Sequence, residues 1–331
     1  MFGNLCDVPG VLVGHAADEH GLTGCTAILF EVPAVAGVDV RGSSPGTRET
    51  DLLSPTGRVG ETHGILLTGG SAFGLAAADG VVRYLQERGV GYDVRVARVP
   101  LVPAAVLFDL AVGDHKASPD AAMGYEAASA AASGEFLQGS VGAGTGATVG
   151  KVLGPERAMK GGVGSASVGL SGGLVVAALA AVNAFGDVRD PATGEIVAGP
   201  RLADGTLADS VEHLEAAAHF MRWGENTTLA VVATNARLTK PQVTKVSQMA
   251  QGGLARTISP VHTSIDGDLI FAASVGGPAD GYAPSNVPPG VVAAPDVVGA
   301  WGARVVERAV LRAVRSARGI PGFPAVSELG P

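Results

Sequence analysis

Two short polar stretches of the chain contain side chains whose types and order could do chemistry. Asn226 and Thr227 open an apolar, strand-like run, and Asp266 and Asp268 flank a glycine further along the chain. A threonine can be a nucleophile with its own α-amine as the base, but only once the peptide bond before it has been cut. The order of these residues therefore indicates an amidase that processes itself before Thr227. The alternative is structural, because threonine is frequent in strands and Asp-Gly-Asp is frequent in turns.

Apolar patterning predicts the strands and helices that would position these groups. Strand-like runs occur at 11–13, 26–30, 64–68, 104–110, 165–170, 174–182, 229–234 and 269–274. The tripeptide Ser-Gly-Gly at 171–173 separates two of these runs and predicts a hairpin turn. Helical spacing of apolar residues predicts helices over 75–85, 241–249 and 298–313.

The segment 187–226 separates the predicted hairpin from Thr227. It begins with residues rich in Pro, Gly, Asp and Thr, and it contains an alanine-rich helix candidate over 211–220. We interpret the segment as a mobile connection ahead of the Asn226–Thr227 bond and not as a domain boundary. The strands on both sides are too apolar to stand alone, so the two halves are expected to share one core.

Length and composition favour a globular protein without nucleic-acid or membrane partners. The 331 residues are enough for one large domain or two ordinary ones, and 47% are hydrophobic while 16% are charged. The 31 acidic residues exceed the 23 basic ones, which gives a net charge of −8 and disfavours nucleic-acid binding. The longest apolar stretch, 173–185, is too short to span a bilayer.

Cysteine and histidine usage argues against disulfide and metal chemistry. Cys6 and Cys25 are too few for a disulfide framework or a four-ligand zinc site, so a reducing cytoplasm is the expected location. His213 and His219 are not spaced to face one metal from the same side of a helix, so neither a metal nor another cofactor is predicted. The amino terminus lacks the basic and apolar regions of a signal peptide, and none is expected.

A glycine-rich stretch over 142–151 imitates two nucleotide-binding signatures without completing either. No clear strand leads into Gly142, no acidic residue follows at the distance of a dinucleotide fold, and Val152 stands where a phosphate loop carries Ser or Thr. We expect instead a loop in which glycines, Gly144 among them, let the backbone approach a ligand or the reactive peptide. Lys151 is then a candidate cation of the site.

Gly69, Gly70 and Ser71 lie between a predicted strand and a predicted helix. Amide groups at a helix N-terminus can hold an oxyanion or a carboxylate, which makes this turn a candidate oxyanion or substrate loop. A tight strand-to-helix turn without a ligand is the alternative. Ser71 itself is more typical of a helix cap than of a nucleophile, because no Gly-x-Ser-x-Gly pattern surrounds it.

Five stretches of the chain also match one known family in order. They are 7–15 (Asp-Val-Pro-Gly-Val-Leu-Val-Gly-His), 68–75 (Thr-Gly-Gly-Ser-Ala-Phe-Gly-Leu), 142–146 (Gly-Ala-Gly-Thr-Gly), 226–228 (Asn-Thr-Thr) and 262–268 (His-Thr-Ser-Ile-Asp-Gly-Asp). Through them the chain resembles, over nearly its whole length, the L-aminopeptidase/D-Ala-esterase/amidase family, which includes β-aminopeptidases and nylon-oligomer hydrolases. One such stretch is moderate evidence, whereas five in the same order are specific.

The resemblance implies roles for the polar residues described first. The chain would cut itself between Asn226 and Thr227, and the new N-terminal Thr227 would be nucleophile and base together. A neutral α-amine titrates near pH 8, close enough to working pH to accept the hydroxyl proton. Asp266 and Asp268 match the acidic positions that orient this amine and hydroxyl. The ordinary alternative for Asp268 is that of a turn acceptor.

Two further positions follow from the same resemblance. Asn183 matches a side-chain amide near the reactive carbonyl, and a strand-end turn residue is its structural alternative. Phe108 stands where some relatives carry a tyrosine. Because phenylalanine has no hydroxyl, either another donor completes the site or the substrate class differs.

The resemblance implies a fold of mixed α/β class, a four-layer αββα sandwich in a single domain, matured into chains 1–226 and 227–331. The substrate would be a small peptide or amide hydrolysed through a Thr227 acyl-enzyme, and the cleaved units would form a homo-oligomer, a tetramer of αβ units. Two rivals stay open. The related N-acetyltransferases of arginine synthesis also cut themselves before a threonine, although their Ala-Thr-Met-Leu-like motif is not found here. A non-catalytic sugar-phosphate or nucleotide-binding module built on residues 142–150 is the other.

Overall fold

The computed structural model describes residues 3–217, 226–277 and 291–329. In chain order, the strands are β1 (Val11–Asp18), β2 (Thr23–Val40), β3 (Gly46–Arg48), β4 (Thr62–Thr68), β5 (Tyr92–Asp93), β6 (Arg98–Val99), β7 (Ala104–Val106), β8 (Thr148–Val149), β9 (Met159–Lys160), β10 (Gly162–Gly169), β11 (Val175–Asn183), β12 (Asp187–Arg189), β13 (Ile196–Ala198), β14 (Thr227–Thr234), β15 (Ile258–Ser259) and β16 (Leu269–Ser274). The helices are α1 (Ala77–Glu87), α2 (Ala121–Ser129), α3 (Leu214–Ala217), α4 (Lys240–Thr257) and α5 (Pro295–Arg315).

The long strand β2 joins two sheets. Its first part pairs with β1 and β4, and β4 continues the first sheet through β7 to β3. After a shift of register between Leu29 and Ala34, its second part pairs with β16. The second sheet then runs through β14 and β11 to β10, so strands from both sides of Asn226 pair within one sheet. Thr227 therefore begins a central strand.

Alternating side chains along the strands divide most of the described interior into three large hydrophobic clusters, and a small fourth cluster surrounds Val152 and Phe185. On β11, one face packs between the two sheets and the other packs under α4 and α5, as expected for side chains of period two. The third cluster lies between the first sheet and α1 with α2. The layers are thus helices, sheet, sheet and helices. This arrangement confirms the predicted four-layer αββα sandwich.

Small residues allow the helix layers to approach the sheets closely. A β-carbon at Gly164 of β10 would lie 2.1 Å from the carbonyl oxygen of Ala309 on α5. The strands of the second sheet carry mainly Val and Ala on the face that α4 and α5 cover. A core poor in aromatic residues is therefore filled by close backbone packing.

Most predicted elements are present, with longer or shorter bounds. The predicted hairpin is confirmed, since β10 and β11 are antiparallel and are joined by a short 3-10 turn over Ser171–Gly173. The three predicted helices correspond to α1, α4 and α5. The strand predicted over 104–110 ends at Val106, and Asp109 turns inward to accept a hydrogen bond from the Gly70 amide.

The interpretation of 187–226 as a mobile connection is wrong for its first part. β12 pairs with both β13 and β15, and Asp187 is completely buried. The Asp187 carboxylate accepts hydrogen bonds from Arg189 and from the amide of Ser210, which order the segment internally, and the pairing of β12 with β15 ties it to the rest of the protein. Of the helix predicted over 211–220, α3 is the described part, and residues 218–225 lie outside the described residues.

Two further observations concern membrane-spanning helices and the cysteines. Within the described ranges, no helix is both long and apolar enough to cross a membrane. Cys6 and Cys25 are free and buried. Burial raises the pKa of the Cys6 thiol to about 11 and that of Cys25 to about 12, so both are protonated at neutral pH.

Candidate active site

The predicted nucleophile lies where three strands of the second sheet meet. Thr227 is the first residue of β14 and pairs across the sheet with Asn183, the last residue of β11. On the other side, Asn226 forms a parallel bridge with Asp266, just ahead of β16. All four side chains are buried. The sheet register therefore brings together four residues from three distant parts of the sequence.

The peptide bond before Thr227 has two donors on its carbonyl oxygen. The Thr227 hydroxyl donates to the Asn226 carbonyl oxygen over 2.5 Å, and the Gly267 amide donates to the same oxygen over 2.8 Å. A β-carbon at Gly267 would lie 2.6 Å from Thr227 Oγ1, so only glycine leaves room for the hydroxyl here. The arrangement places a hydroxyl against a polarised carbonyl.

Residues 262–268 form a turn, called here the acid turn, that fixes both carboxylates. Asp268 Oδ1 accepts the amide of Thr228 at 2.6 Å. Asp268 Oδ2 accepts both the amide and the ring Nδ1 of His262, each at 3.0 Å. Asp266 Oδ2 accepts the amide and the hydroxyl of Thr263, at 2.8 and 2.6 Å. Both carboxylates thus have fixed orientations beside the start of β14.

Burial and mutual repulsion act on the acid pair. Burial, and then the nearby charge of Asp268, raises the pKa of Asp266 to about 6, although the bonds from Thr263 and the charge of Lys151 oppose the rise. A carboxyl group in this range can gain or lose a proton near neutral pH, as acid–base chemistry requires. In the described part of the chain, no group of three or more His, Cys, Asp or Glu side chains could hold a metal ion.

The loop after β2 holds the backbone of the acid turn. The amides of Arg41 and Gly42 donate to the carbonyl oxygen of Asp268, at 2.9 and 3.1 Å. The amide of Ser44 donates to the carbonyl oxygen of Asp266 at 2.9 Å. The turn is therefore anchored to the strand that joins the two sheets.

Asn183 is the meeting point of three chain segments. Its Oδ1 accepts the Thr148 amide at 3.0 Å and the Lys151 ammonium at 2.9 Å. Its Nδ2 donates to the carbonyl oxygen of Phe108 at 2.9 Å. The structure thus brings Lys151 and Phe108 to the residue that lies opposite Thr227. Their roles toward a substrate stay predictions.

The turn at Gly69, Gly70 and Ser71 uses its amides inside the protein. They donate to the carbonyl oxygen of Gly24, the carboxylate of Asp109 and the carbonyl oxygen of Leu107, respectively. The sequence predicted exposed amide donors at this turn. In the structure these amides are already used, and the Gly70 amide is bonded to Asp109, which turns inward. A contribution of this loop to substrate binding stays a prediction.

Residues 142–150, the glycine loop, are buried throughout. A β-carbon at Gly144 would lie 2.4 Å from the amide nitrogen of Val163, so this glycine packs against β10. The expectation that missing β-carbons open this loop to a ligand is therefore wrong at Gly144.

Sequence reasoning missed a buried cation beside the glycine loop. Lys160 is fully buried, and its ammonium donates to the carbonyl oxygens of Gly144, Ala147 and Gly161. Burial lowers its pKa to about 7, although the charge of Asp109 acts in the opposite direction. The available signal was a single lysine within an uncharged run rich in glycine and small residues.

His262 and Thr263 lie in the stretch 262–268 that matches the family, but the sequence alone indicated no role for them. The structure shows that they hold the two carboxylates of the acid turn. Side chains that hold other functional side chains leave only a weak sequence signal, because many residue types can donate a hydrogen bond.

Comparisons with known proteins show the family of this chain. The sequence profile of peptidase family S58 matches residues 3–326. A protein of Mycobacterium bovis named as an uncharacterized aminopeptidase is 40% identical over 352 aligned residues, 99% of this chain and 98% of that protein. The 6-aminohexanoate-oligomer endohydrolase of a Kocuria species is 34% identical over 272 residues, 81% of this chain and 74% of that protein.

Solved structures share the fold. The L-aminopeptidase D-Ala-esterase/amidase of Ochrobactrum anthropi, described as a variant of the Ntn hydrolase fold, gives a TM-score of 0.71 at 22% identity over 98% of this chain and 90% of that chain. A β-aminopeptidase of a Burkholderia species gives a TM-score of 0.69 at 25% identity over 96% of this chain and 87% of that chain. This chain therefore belongs to peptidase family S58, and it is a hydrolase of peptide bonds.

Proposed function

We propose that the protein activates itself by cutting the Asn226–Thr227 bond and then hydrolyses amide bonds through a Thr227 acyl-enzyme. The mature enzyme would consist of residues 1–226 and 227–331 folded as one domain. The observation that carries the proposal is the contact of the Thr227 hydroxyl with the Asn226 carbonyl group, at 2.5 Å between the two oxygens. A nucleophile held against its own preceding peptide needs little movement to react.

The self-cleavage step follows from the contacts around that carbonyl. Thr227 Oγ attacks the Asn226 carbonyl carbon, and the Gly267 amide, already 2.8 Å from the oxygen, stabilises the oxyanion. The carbon–nitrogen bond then breaks, and the nitrogen takes the proton that the hydroxyl has lost. Water hydrolyses the resulting ester between Asn226 and Thr227. The products are a carboxylate on Asn226 and a free hydroxyl and amine on Thr227.

The same threonine then acts on external substrates. Its free amine, with an ordinary pKa near 8, accepts the hydroxyl proton while the oxygen attacks the substrate carbonyl. The leaving amine takes that proton, and water hydrolyses the acyl-enzyme. Asp266 and Asp268 would orient the amine and hydroxyl, and Asn183 with Lys151 would face the developing oxyanion. The fixed carboxylates and the position of Asn183 opposite Thr227 support these roles.

The substrate class that these observations favour is a small peptide or a peptide-like oligomer. The relatives named above are an aminopeptidase and a hydrolase of 6-aminohexanoate oligomers, and both names describe hydrolysis of amide bonds. A threonine nucleophile with a buried acid pair fits both a peptide and a 6-aminohexanoate oligomer as substrate, since each presents an amide carbonyl carbon to the threonine. Assembly of the cleaved units into a homo-oligomer belongs to the same proposal.

Substitution of the nucleophile tests the proposal. Thr227→Ala should abolish turnover of an aminoacyl amide and of 6-aminohexanoate oligomers, because no other hydroxyl inherits the free α-amine. Thr227→Ser should retain part of the activity, since serine supplies the same oxygen. The conservative Thr228→Ser, one residue further along, is the matched control and should be close to the unsubstituted protein. Undiminished turnover by Thr227→Ala would transfer the role to another residue.

A further inference from the structure

In the acid turn, His262 directs both its backbone amide and its ring at one oxygen of Asp268. Its amide and its ring Nδ1 both lie 3.0 Å from Asp268 Oδ2. An ionised carboxylate only accepts hydrogen bonds, so Nδ1 carries the proton in this contact. The other ring nitrogen, Nε2, is buried and has no hydrogen-bond partner among the described residues. The ring is therefore held through Asp268.

Asp268 in turn connects His262 to the nucleophile's strand. Its second oxygen, Oδ1, accepts the Thr228 amide at 2.6 Å, one peptide after Thr227. His262 and Thr228 thus form hydrogen bonds to different oxygens of the Asp268 carboxylate, and these bonds leave the carboxylate little freedom to rotate. Asp266 has a separate support in Thr263, so the two carboxylates are fixed by different residues.

We infer that His262 is a positioning residue for the hydrolytic reaction: its ring holds Asp268 in the orientation that serves Thr227. This inference rests on the proposed function of Thr227 and adds a residue to it. Without the ring, the Asp268 carboxylate keeps the backbone donors of His262 and Thr228 but gains room to turn. Small displacements of a catalytic group slow a reaction strongly while leaving substrate binding largely unchanged.

The backbone at His262 permits a clean deletion of the ring. Its φ angle is +57°, in the left-handed region where glycine is at ease and asparagine is tolerated. His262→Gly therefore removes the ring and keeps the backbone conformation. His262→Asn keeps a side-chain donor that can reach Asp268. Arg95→Gly, at φ +72° in an exposed turn, is a matched control for introducing glycine at such a position.

The experiment measures kcat and KM on an aminoacyl amide, together with melting temperature, for the unsubstituted protein and the three variants. For His262→Gly, kcat should fall roughly 10- to 100-fold with KM within about twofold. His262→Asn should recover most of the loss, and Arg95→Gly should behave as the unsubstituted protein. The melting temperatures of His262→Gly and Arg95→Gly should change by similar amounts.

Three results would overturn the inference. Normal kcat in His262→Gly would show that the ring does not position Asp268. Equal loss in His262→Asn and His262→Gly would show that the imidazole does chemistry which asparagine cannot replace. A rise in KM alone would make His262 a substrate contact. Failure of the Thr227 proposal is recognised separately, because the unsubstituted protein itself would then lack Thr227-dependent turnover.

Discussion

Two regions of the interior hold buried charges, and they differ in what those charges contact. In the acid turn, Asp266 and Asp268 are held by neighbouring donors and lie beside the Asn226–Thr227 bond. In the glycine loop, Lys160 contacts three backbone carbonyl oxygens of the segments that surround it. The first arrangement places charge beside a peptide bond, whereas the second adds a charged side-chain donor to backbone carbonyl groups, two of which also accept a backbone amide.

The difference separates residues that act on chemistry from residues that act on stability. Removing an acid-turn carboxylate should leave the fold and change the rate. Removing the loop cation should delete three buried, charge-assisted hydrogen bonds and change the free energy of unfolding. The glycines repeat the contrast, because Gly267 makes room for the Thr227 hydroxyl while Gly144 makes room for the backbone of β10.

The largest expected effect is on stability at the glycine loop. Lys160→Met removes the donor of three carbonyl oxygens and should lower the free energy of unfolding by about 3–5 kcal/mol. Thermal or urea unfolding measures the loss. Lys245→Met, on the exposed face of α4, is the control and should be within about 0.5 kcal/mol of the unsubstituted protein. A Lys160→Met protein of normal stability would contradict a structural role for this cation.

A somewhat smaller effect, now on rate, is expected at the acid turn. Asp268→Asn should slow turnover roughly 100- to 1,000-fold, equivalent to about 3–4 kcal/mol, with little change in melting temperature. Asp204 offers a matched control, because this exposed aspartate is an ordinary turn acceptor for Thr206. Asp204→Asn should be silent. If Asp268→Asn is silent as well, Asp268 is only a turn acceptor, and the contrast between the two regions fails.

The smallest effect is a pH dependence of stability at Asp266. Because its pKa in the folded protein is raised to about 6, the ionised form is disfavoured by folding, and stability falls as pH rises from about 4 through 6. Asp266→Asn removes this loss. In an uncut Thr227→Ala background, its advantage in free energy of unfolding should grow by about 1–3 kcal/mol between pH 4 and pH 7. An advantage independent of pH would contradict the raised pKa.

The sequence predicted the layers of the fold, and it indicated Thr227 as the candidate nucleophile, but it gave little information on the residues that surround Thr227. Apolar runs were enough to predict β10, β11, β14 and β16, and the Asn-Thr-Thr stretch indicated Thr227. The register of the sheet determines which other side chains lie next to Thr227. The pairing of Asn183 with Thr227 depends on contacts between strands from distant parts of the chain, which no local pattern encodes.

Two errors have the same physical origin. The segment that begins at Asp187 looked mobile because of its composition, yet the pairing of β12 with the distant strand β15 orders its start. Gly144 looked like part of a ligand loop, yet the missing β-carbon serves packing against Val163. Turn-rich and glycine-rich segments report backbone freedom, and only the tertiary structure decides what that freedom is used for.

The central claim is that the Asn226–Thr227 bond breaks and leaves Thr227 as a new N-terminus. Intact mass of freshly purified protein, combined with N-terminal sequencing, tests it most directly. The account predicts two fragments, residues 1–226 and 227–331, with Thr227 as the first residue of the second, and one uncut chain for Thr227→Ala. A fully active protein that remains a single chain would contradict the claim.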